Sequence, residues 1–231
     1  MPRLSTKLRN ADQLTSEVIA AKLQKEIVMG ELSAGDRLAE VALAARFNVS
    51  RGPIRSALKL LAGVGIVSIV PNSGARVRVM TRKDARALYE VRASLEAEAA
   101  MLAAQKAGAA ACGILNALLG QHAGEIDHHP NGTYLQIHSD QDFHLVIANL
   151  ADSPIIKRYL ARELYPQLSL LRIRHQLVTG RGTEALQEHQ DIARAISKGD
   201  PEVARRLMYS HIRNSWTALE AHLDDLEDAQ S

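Results

Sequence analysis

Residues 48–79, NVSRGPIRSALKLLAGVGIVSIVPNSGARVRV, determine the fold of the first third of the chain. They open with a predicted helix over about 51–62, for which Ser50 is a favourable N-cap. Apolar residues recur at helical spacing and predict its buried face: Ile54, Leu58 and Leu61. An outward face combines cationic with small residues: Arg51, Gly52, Arg55, Ser56 and Lys59. Such a face fits the major groove of DNA, and the alternative is a solvated surface.

The residues after this helix predict a small β-hairpin. Residues 66–70 form a β-branched run, residues 71–74 form a polar turn, and residues 75–79 alternate strictly. Two short strands directly after a basic helix predict the wing of a winged helix-turn-helix. Arg76 and Arg78 share one face of the second strand, where we expect them to contact phosphates.

Two helices are predicted upstream, over about 14–29 and 39–46, the first from apolar residues spaced four apart: Ile19, Leu23 and Ile27. The predicted fold class is therefore mainly α. An N-terminal winged helix-turn-helix with a small β-hairpin wing occupies residues 1–80, and an all-α helical bundle occupies residues 81–231.

Charge also separates these two parts of the chain. Residues 1–80 contain 12 Lys/Arg and 6 Asp/Glu, whereas residues 81–231 contain 16 and 20. This asymmetry suggests a polyanion-binding module joined to a different one. Cys112 is the only cysteine, so no internal disulfide can form. Because apolar runs are too short for a membrane span and the N-terminus lacks a signal-peptide core, we expect a cytoplasmic protein without membrane partners.

The second part predicts six helices and no strand. Their expected ranges are 84–105, 112–126, 133–150, 154–178, 183–198 and 201–224, separated by Gly-, Asp- and Pro-containing breaks. Polar residues interrupt the apolar faces of three of them. Asp140 and His144 are spaced i, i+4, and His189 and His211 lie on the two later helices. Buried polar groups are costly unless paired, and a divalent metal could satisfy all four. The alternative is separate core histidines bonded to carbonyls.

Arg92 interrupts another apolar stripe, on the helix over 84–105. It could clamp an effector carboxylate, or instead pair with Glu96 one turn away. Arg172 and Asn214 are further candidates for an effector pocket. Loops or solvated faces are expected to hold five other histidines: His128, His129, His138, His175 and His222.

The stretch from Gly30 to Val77 resembles the DNA-binding domain of GntR-type regulators, with a likeness that spans about residues 14–80. Its most specific parts are NVSRGPIRSAL and PNSGARV. The resemblance implies DNA contacts from Arg51, Gly52, Arg55, Asn72, Ser73 and Gly74, and we add Ser50 and Arg76 to this surface. Many relatives carry an Arg directly after the Glu of the second helix, where this chain has Val41. We therefore expect its operator sequence or affinity to differ from theirs.

The second part resembles the FadR-type C-terminal (FCD) domain, in its metal-binding branch, over about residues 84–222. The segments that carry the likeness are SDQDFHLVIANL, EALQEHQDIARAI and ARRLMYSHI. The resemblance implies four metal ligands, Asp140, His144, His189 and His211, and an effector-binding arginine at Arg92. Three nitrogens and one oxygen suit several divalent ions, of which zinc is expected first and nickel or manganese are alternatives.

Together these resemblances imply a transcription regulator that is not an enzyme. It would act as a homodimeric repressor on a pseudo-palindromic double-stranded DNA operator and respond to a small carboxylate effector bound at the metal. One alternative is a metal-dependent hydrolase fused to a DNA-binding module, for which Glu188 is the only general-base candidate near the ligands. Another is an acyl-CoA-responsive regulator without metal, which the inward histidines argue against.

Overall fold

The computed structural model describes residues 3–71, 73–106, 109–127, 142–176 and 181–228, with side chains over 15–71, 73–106, 111–126, 142–171 and 181–222. The chain divides into two compact units. The first contains Met1–Met80 and Tyr165–Leu170, and the second contains Thr81–Leu164 and Leu171–Ser231.

The described residues up to Met80 in the first unit form three helices and three short strands. In chain order these are α1 (Arg3–Val28), β1 (Arg37–Leu38), α2 (Glu40–Phe47), α3 (Arg51–Gly63), β2 (Val67–Val70) and β3 (Gly74–Val77). Helices α2 and α3 confirm the predicted ones to within about a residue at each end. The prediction for α1 was too short at its start, because it followed only the apolar repeat and the backbone is helical from Arg3 onward.

Local backbone preferences explain the tight connection between α2 and α3. Asn48 ends α2 in the left-handed conformation (φ 51°), which asparagine tolerates better than most residues. Ser50 takes the extended N-cap conformation before α3, as predicted, although its side chain makes no capping hydrogen bond.

The core of this unit lies under α3. Its inward residues Ile54, Leu58 and Leu61 are all 2% exposed or less, which confirms the buried face predicted from their spacing. They pack in one cluster with Leu23 of α1 and Ile66 before β2. Full burial of such side chains contributes about 1.5–3 kcal/mol each.

The predicted hairpin is confirmed, but the wing has a third strand. The antiparallel sheet has the order β1-β3-β2, with Arg37 opposite Arg76 and Val67 opposite Val77. Strand β1 was not predicted because two residues are too few to show an alternating pattern. Gly74 begins β3 with φ +82°, a conformation that a side chain would strain.

The second unit is helical throughout its described residues. Its elements are α4 (Arg82–Lys106), α5 (Ala109–Asp127), α6 (Phe143–Leu150), α7 (Pro154–Arg158), a π-helical segment (Tyr159–Leu164), α8 (Tyr165–Gln176), α9 (Arg181–Ser197) and α10 (Pro201–Asp228). The predicted single helix over 154–178 is thus interrupted by a π-helical turn. Residues 165–170 of α8 cluster with the first unit.

Helix α6 begins later than the predicted residue 133. Asp142 takes an extended conformation and caps the helix, because its carboxylate accepts the backbone N–H groups of His144 and Leu145. The predicted pairing of Asp140 with His144 on one helical face is not tested by these residues and stays a prediction. Asp140 itself lies outside the described residues.

Among the described residues, five helices of this unit pack around its buried polar side chains. Helix α4 packs along α10 and also contacts α6 and α9, while α9 packs against α10 and α5. Tyr89 and Trp216 join α4 to α10, with ring centroids 5.5 Å apart. Within the described parts of the chain, no helix combines the length and hydropathy needed to cross a membrane.

Candidate metal centre and DNA-binding surface

Three histidines from three different helices meet inside the second unit. His144 of α6, His189 of α9 and His211 of α10 are 5%, 1% and 3% exposed. One nitrogen of each lies within 4.8 Å of the others. The alternative of separate core histidines, each bonded to its own carbonyl, does not describe this cluster.

The rings of the three histidines contact one another and an apolar neighbour. The Nε2 atoms of His189 and His211 are 3.1 Å apart. His144 stacks on His211 with ring centroids 5.1 Å apart, and the fully buried Phe143 stacks on His189 at 4.1 Å. The apolar ring excludes water from one side of the cluster.

Burial keeps two of these imidazoles neutral at neutral pH. Desolvation lowers the pKa of His189 well below its ordinary value, and the neighbouring His211 and His144 lower it further. Desolvation also lowers the pKa of His211 to about 4, although Glu188 acts in the opposite direction. A neutral imidazole keeps a lone pair on one nitrogen, which is the form that binds a metal.

A buried carboxylate orients His144. Oε2 of Glu96, on α4, lies 2.5 Å from His144 Nδ1, and Oε1 accepts from Nε of Arg92 at 2.6 Å. Burial by itself raises the pKa of Glu96, but Arg92 and His144 outweigh it and lower the pKa to about 2. Oε2 of Glu96 and Nδ1 of His144 are at ion-pair distance without hydrogen-bond geometry, and with the carboxylate beside Nδ1 it is Nε2 of His144 that remains for a ligand.

Glu188 holds His211 in the same way. Its Oε2 lies 2.6 Å from His211 Nδ1, and its Oε1 accepts from Asn214 Nδ2 at 2.7 Å. A carboxylate on the second ring nitrogen is the usual support of a metal-binding histidine, because it sets the tautomer and the ring orientation.

Arg181, the first residue of α9, reaches into this network. Its NH2 donates to Oε2 of Glu188 at 2.5 Å and to Ser215 Oγ at 3.0 Å. Arg181 is only 7% exposed, and its buried Nε and NH1 meet no hydrogen-bond acceptor among the described residues. NH2 also lies 3.5 Å from His211 Nδ1, and NH1 forms an ion pair with Glu184 at 3.7 Å.

These residues fit a divalent metal. Two nitrogens bound to one tetrahedral ion at about 2.0–2.1 Å lie about 3.3 Å apart, close to the 3.1 Å between His189 and His211. The nitrogens are buried, and for His144 and His211 the opposite ring nitrogen faces a carboxylate. An imidazole-rich donor set of this kind suits Zn, Ni and other late divalent ions.

Two of the other predicted effector residues, Arg92 and Asn214, are bonded to the carboxylates that contact the histidines. Arg92 forms the intrahelical ion pair with Glu96 that was its alternative role, and its guanidinium lies 5.4 Å from the Tyr89 ring centroid. Asn214 is exposed and bonded to Glu188. The side chain of Arg172 lies outside the described residues, so its role stays a prediction.

The histidines expected on loops or solvated faces divide into two groups. His128, His129 and His138, and the side chain of His175, lie outside the described residues. For His222 the expectation was wrong, because its side chain is half-buried and its Nε2 is fully covered.

Three buried polar residues near the cluster were not predicted, Arg181, His122 and Ser215, and Glu96 was predicted only as a partner of Arg92. Arg181, Ala185 and His189 are spaced four apart, but the predicted helix began at 183 and excluded Arg181. Glu96 follows Arg92 by one turn on the stripe of α4. His122 and Ser215 are also buried, and His122 continues the apolar face of α5 formed by Leu115, Leu118 and Leu119.

The outward face of α3 in the first unit is exposed as predicted. Arg51, Gly52, Arg55, Ser56 and Lys59 are all on the surface, and so is the N-cap residue Ser50. Glu40, at the start of α2, accepts hydrogen bonds from both Arg51 and Arg55. Val41, at the position where the family resemblance leads us to expect an arginine, is 66% exposed.

The wing presents part of its predicted contact set. Arg76 is exposed and donates to the carbonyl of Gly35 at 2.9 Å, and Ser73 and Gly74 are exposed at the turn. Arg78 lies beyond the end of β3 and is half-buried against the carbonyl of Gly65, at 3.3 Å, which makes it less accessible to phosphate than predicted. Asn72 lies outside the described residues.

Comparison with known proteins relates both units to one class of regulator. Residues 15–77 match the family model described as "Bacterial regulatory proteins, gntR family". Residues 87–214, more than half of the chain, match the model of the FCD domain. The structure is similar in fold to Escherichia coli McbR/YncC, with a TM-score of 0.72 and 19% identity over 90% of this chain and 97% of that one. A putative GntR regulator from Rhodococcus sp. RHA1 gives a TM-score of 0.70 with 23% identity, over 89% and 97%.

Curated relatives match over most of their length. The uncharacterized HTH-type transcriptional regulator YdhC of Bacillus subtilis is 27% identical over 88% of this chain and 90% of its own. The HTH-type transcriptional repressor RspR of E. coli K12 is 26% identical over 88% of each chain. The repressor NanR of Klebsiella aerogenes is 28% identical over 88% and 86%. The chain therefore belongs to the GntR family of bacterial regulatory proteins, in the group whose second domain is an FCD domain.

Proposed function

We propose that this protein is a sequence-specific transcription regulator, acting as a repressor, whose operator binding is controlled by a small carboxylate metabolite held at a divalent metal site. The observation that carries the metabolite site is the convergence of three buried histidines, His144, His189 and His211, from three helices of the FCD domain. The GntR match and the repressors among the relatives support the regulatory role.

The metal would be held by Nε2 of His144 and His211 and by His189, with Asp140 as the fourth ligand implied by family resemblance. Zinc is the first candidate, and nickel and manganese are alternatives. When bound, such an ion supplies Lewis acidity and open coordination positions that a carboxylate can occupy. Glu96 and Glu188 support the site by orienting two of the rings, since loss of such partners typically costs about 10–100-fold in metal affinity.

Arg181 is the residue that the structure adds to the proposed effector site. Arg92 already donates to Glu96, whereas Arg181 is 7% exposed and its Nε and NH1 have no hydrogen-bond acceptor among the described residues, with Glu184 3.7 Å from NH1. A buried guanidinium with unused donors is costly, and an anionic ligand removes that cost. We therefore propose that Arg181, together with the predicted Arg92, Arg172 and Asn214, recognises acceptor groups of the effector.

The DNA-binding surface would comprise the start of α3 and the wing. Ser50, Arg51, Gly52 and Arg55 would enter the major groove, while the wing residues Asn72, Ser73, Gly74 and Arg76 would contact the backbone. One small winged helix reads few bases, so we propose a homodimer on a pseudo-palindromic operator. A protein acting on the bacterial chromosome works in the cytoplasm, which is the compartment we propose.

To control DNA binding, the effector must bind one arrangement of the helices that supply the site more tightly than another. Ligands for the metal come from α6, α9 and α10, so an effector that completes the coordination acts on all three at once. Couplings between effector and DNA of about 1–3 kcal/mol are typical of such regulators.

Hydrolysis is the competing use of a metal site, and the geometry does not favour it. A general base needs a pKa near the working pH. Burial raises the pKa of Glu188, but hydrogen bonds from His211, Asn214 and Arg181 outweigh it and lower the pKa to about 2. This carboxylate is suited to orienting His211 and is a poor proton acceptor, and we propose no enzymatic activity.

Native mass spectrometry of the purified protein tests the proposal, because it reports dimer, metal and any retained acid in one measurement. We expect a dimer with one metal ion per chain, and release of operator DNA on addition of the retained acid. A monomer without metal, or turnover of the acid by the metal-loaded protein, would contradict it.

A further inference from the structure

We infer that Glu40 is a positioning residue for the two arginines of α3, and that it raises the preference of the protein for its operator over other DNA. The inference rests on the proposed role of α3 in binding DNA. Glu40 belongs to α2, whereas the arginines belong to α3, and its negative charge is repelled by DNA.

One carboxylate joins both arginines. Oε1 of Glu40 accepts from Nε of Arg55 at 3.1 Å, and Oε2 accepts from NH2 of Arg55 at 3.0 Å. The same Oε2 accepts from NH2 of Arg51 at 3.1 Å. Because Arg51 and Arg55 are one turn apart on α3, a single residue at the start of α2 restrains both.

Glu40 and the two arginines are ionised and accessible to solvent. The side chains of Arg51 and Arg55 are 60% and 56% exposed, and that of Glu40 is 28% exposed. The hydrogen bond from Arg55 is the main reason that the pKa of Glu40 falls to about 2, and Arg51 lowers it further. Exposed ion pairs contribute little to folding stability, so their effect is better sought in what the arginines do on the surface.

Glu40 leaves one end of the Arg55 guanidinium available. Of the N–H groups that a guanidinium carries, the carboxylate takes those on the edge formed by Nε and NH2. The NH1 group and the outer proton of NH2 remain for acceptors on a base edge, such as guanine O6 and N7. Because the side chain is already oriented, less rotamer entropy is lost when these bonds form.

The same carboxylate opposes indiscriminate binding. Two unrestrained arginines at the start of α3 would pair with phosphates on any sequence, and phosphate contacts supply most of non-specific affinity. Glu40 offsets part of their charge and occupies the donors that a phosphate would use. Positioning and charge therefore both increase the ratio of specific to non-specific affinity.

A second Glu–Arg pair in the same unit provides a matched control. Glu26 of α1 pairs with Arg46 of α2, and this pair does not involve α3. Replacing Glu26 with Gln changes the net charge by the same amount as replacing Glu40, without releasing either arginine of α3.

The test begins with the full-length wild-type protein, which is used to select an operator from random duplex DNA. Affinities for the selected duplex and for a shuffled duplex of equal length are then measured at several salt concentrations. We expect E40Q to lower the specific-to-non-specific ratio about tenfold, the scale on which one bidentate arginine–base contact discriminates. On shuffled DNA its salt slope should steepen by about 0.9 for each arginine released onto a phosphate. E26Q should retain the wild-type ratio.

E40D separates positioning from charge, because it keeps the negative charge at the start of α2 but withdraws the carboxylate from the arginines. We expect the ratio to fall in E40D as well, with thermal unfolding unchanged. An unchanged ratio in E40Q, or a fall in E40Q that E40D does not show, would overturn the inference. A wild-type protein that selects no sequence would instead contradict the proposed DNA-binding function.

Discussion

The Nε2 atoms of His189 and His211 lie 3.1 Å apart, although the two residues belong to different helices and are 22 positions apart in the sequence. Both imidazoles are buried, and burial lowers both pKa values, so neither ring carries a charge that would force them apart at neutral pH. With His144 they form the centre on which the first two predictions depend.

Replacing His189 with Ala should remove bound metal and the response to effector together, because one group of ligands serves both. DNA binding by the protein without effector should remain largely intact. Metal analysis and effector-dependent operator release are measured on the same preparation, with H222A as a control outside the cluster. An H189A protein that binds no metal yet releases operator normally would refute a shared site.

Replacing Arg181 with Gln should keep the metal but weaken binding of the acids that shift the melting temperature of the wild-type protein. We expect a loss of about tenfold or more, since hydrogen bonds to charged groups contribute about 1.5–3 kcal/mol. R194Q is the control, because Arg194 is on the same helix but its side chain is 60% exposed. Loss of metal in R181Q would show that Arg181 supports the histidines and does not anchor the effector.

Replacing Arg51 or Arg55 with Ala should abolish operator binding while leaving a folded dimer. Both side chains are exposed on the outward face of α3, so their removal opens no cavity. Each bidentate contact to a base discriminates by about 1–3 kcal/mol. Electrophoretic mobility shift on the selected operator measures the loss, with R46A as the control. Wild-type affinity in R51A would show that α3 is not the recognition helix.

Replacing Arg76 with Ala should weaken binding to all DNA sequences alike. Its guanidinium is on the exposed face of the wing, where it donates to the Gly35 carbonyl. A phosphate contact of this kind lowers the salt slope by about 0.9 when removed. Binding to operator and shuffled duplexes is compared over a salt series, and R76K should retain most of the slope. A loss confined to the operator would indicate base recognition instead.

The acid titration of Glu40 should depend on Arg55. The folded-state pKa is about 2 against an ordinary value of 4.5, so the small stabilisation from this exposed ion pair is fully present above about pH 4.5. That contribution is lost as the pH falls from 4.5 towards 2. Carboxyl NMR should give a midpoint near 2 in the wild type and a higher one in R55A. Equal midpoints in the two proteins would show that Arg55 does not hold the carboxylate.

Much of the fold followed from local patterns. Ile54, Leu58 and Leu61 predicted the buried face of α3, and the alternation after Gly74 predicted the wing, because burial repeats with the period of the element. The errors arose where a pattern was absent or too short. Strand β1 has only two residues, and the start of α6 depends on the conformation of Asp142.

The candidate site also combines features that the sequence predicted with features that it did not. Periodicity by itself determined that His144, His189 and His211 face inward, since one apolar stripe defines the interior side of each helix. Only the tertiary structure decided that these three sides meet, that Glu96 faces His144 and Glu188 faces His211, and that Arg181 is buried beside Glu188. The physical reason is that spacing along a helix fixes the direction of a side chain relative to its own axis. The packing of whole helices sets the distance from that side chain to one on another helix.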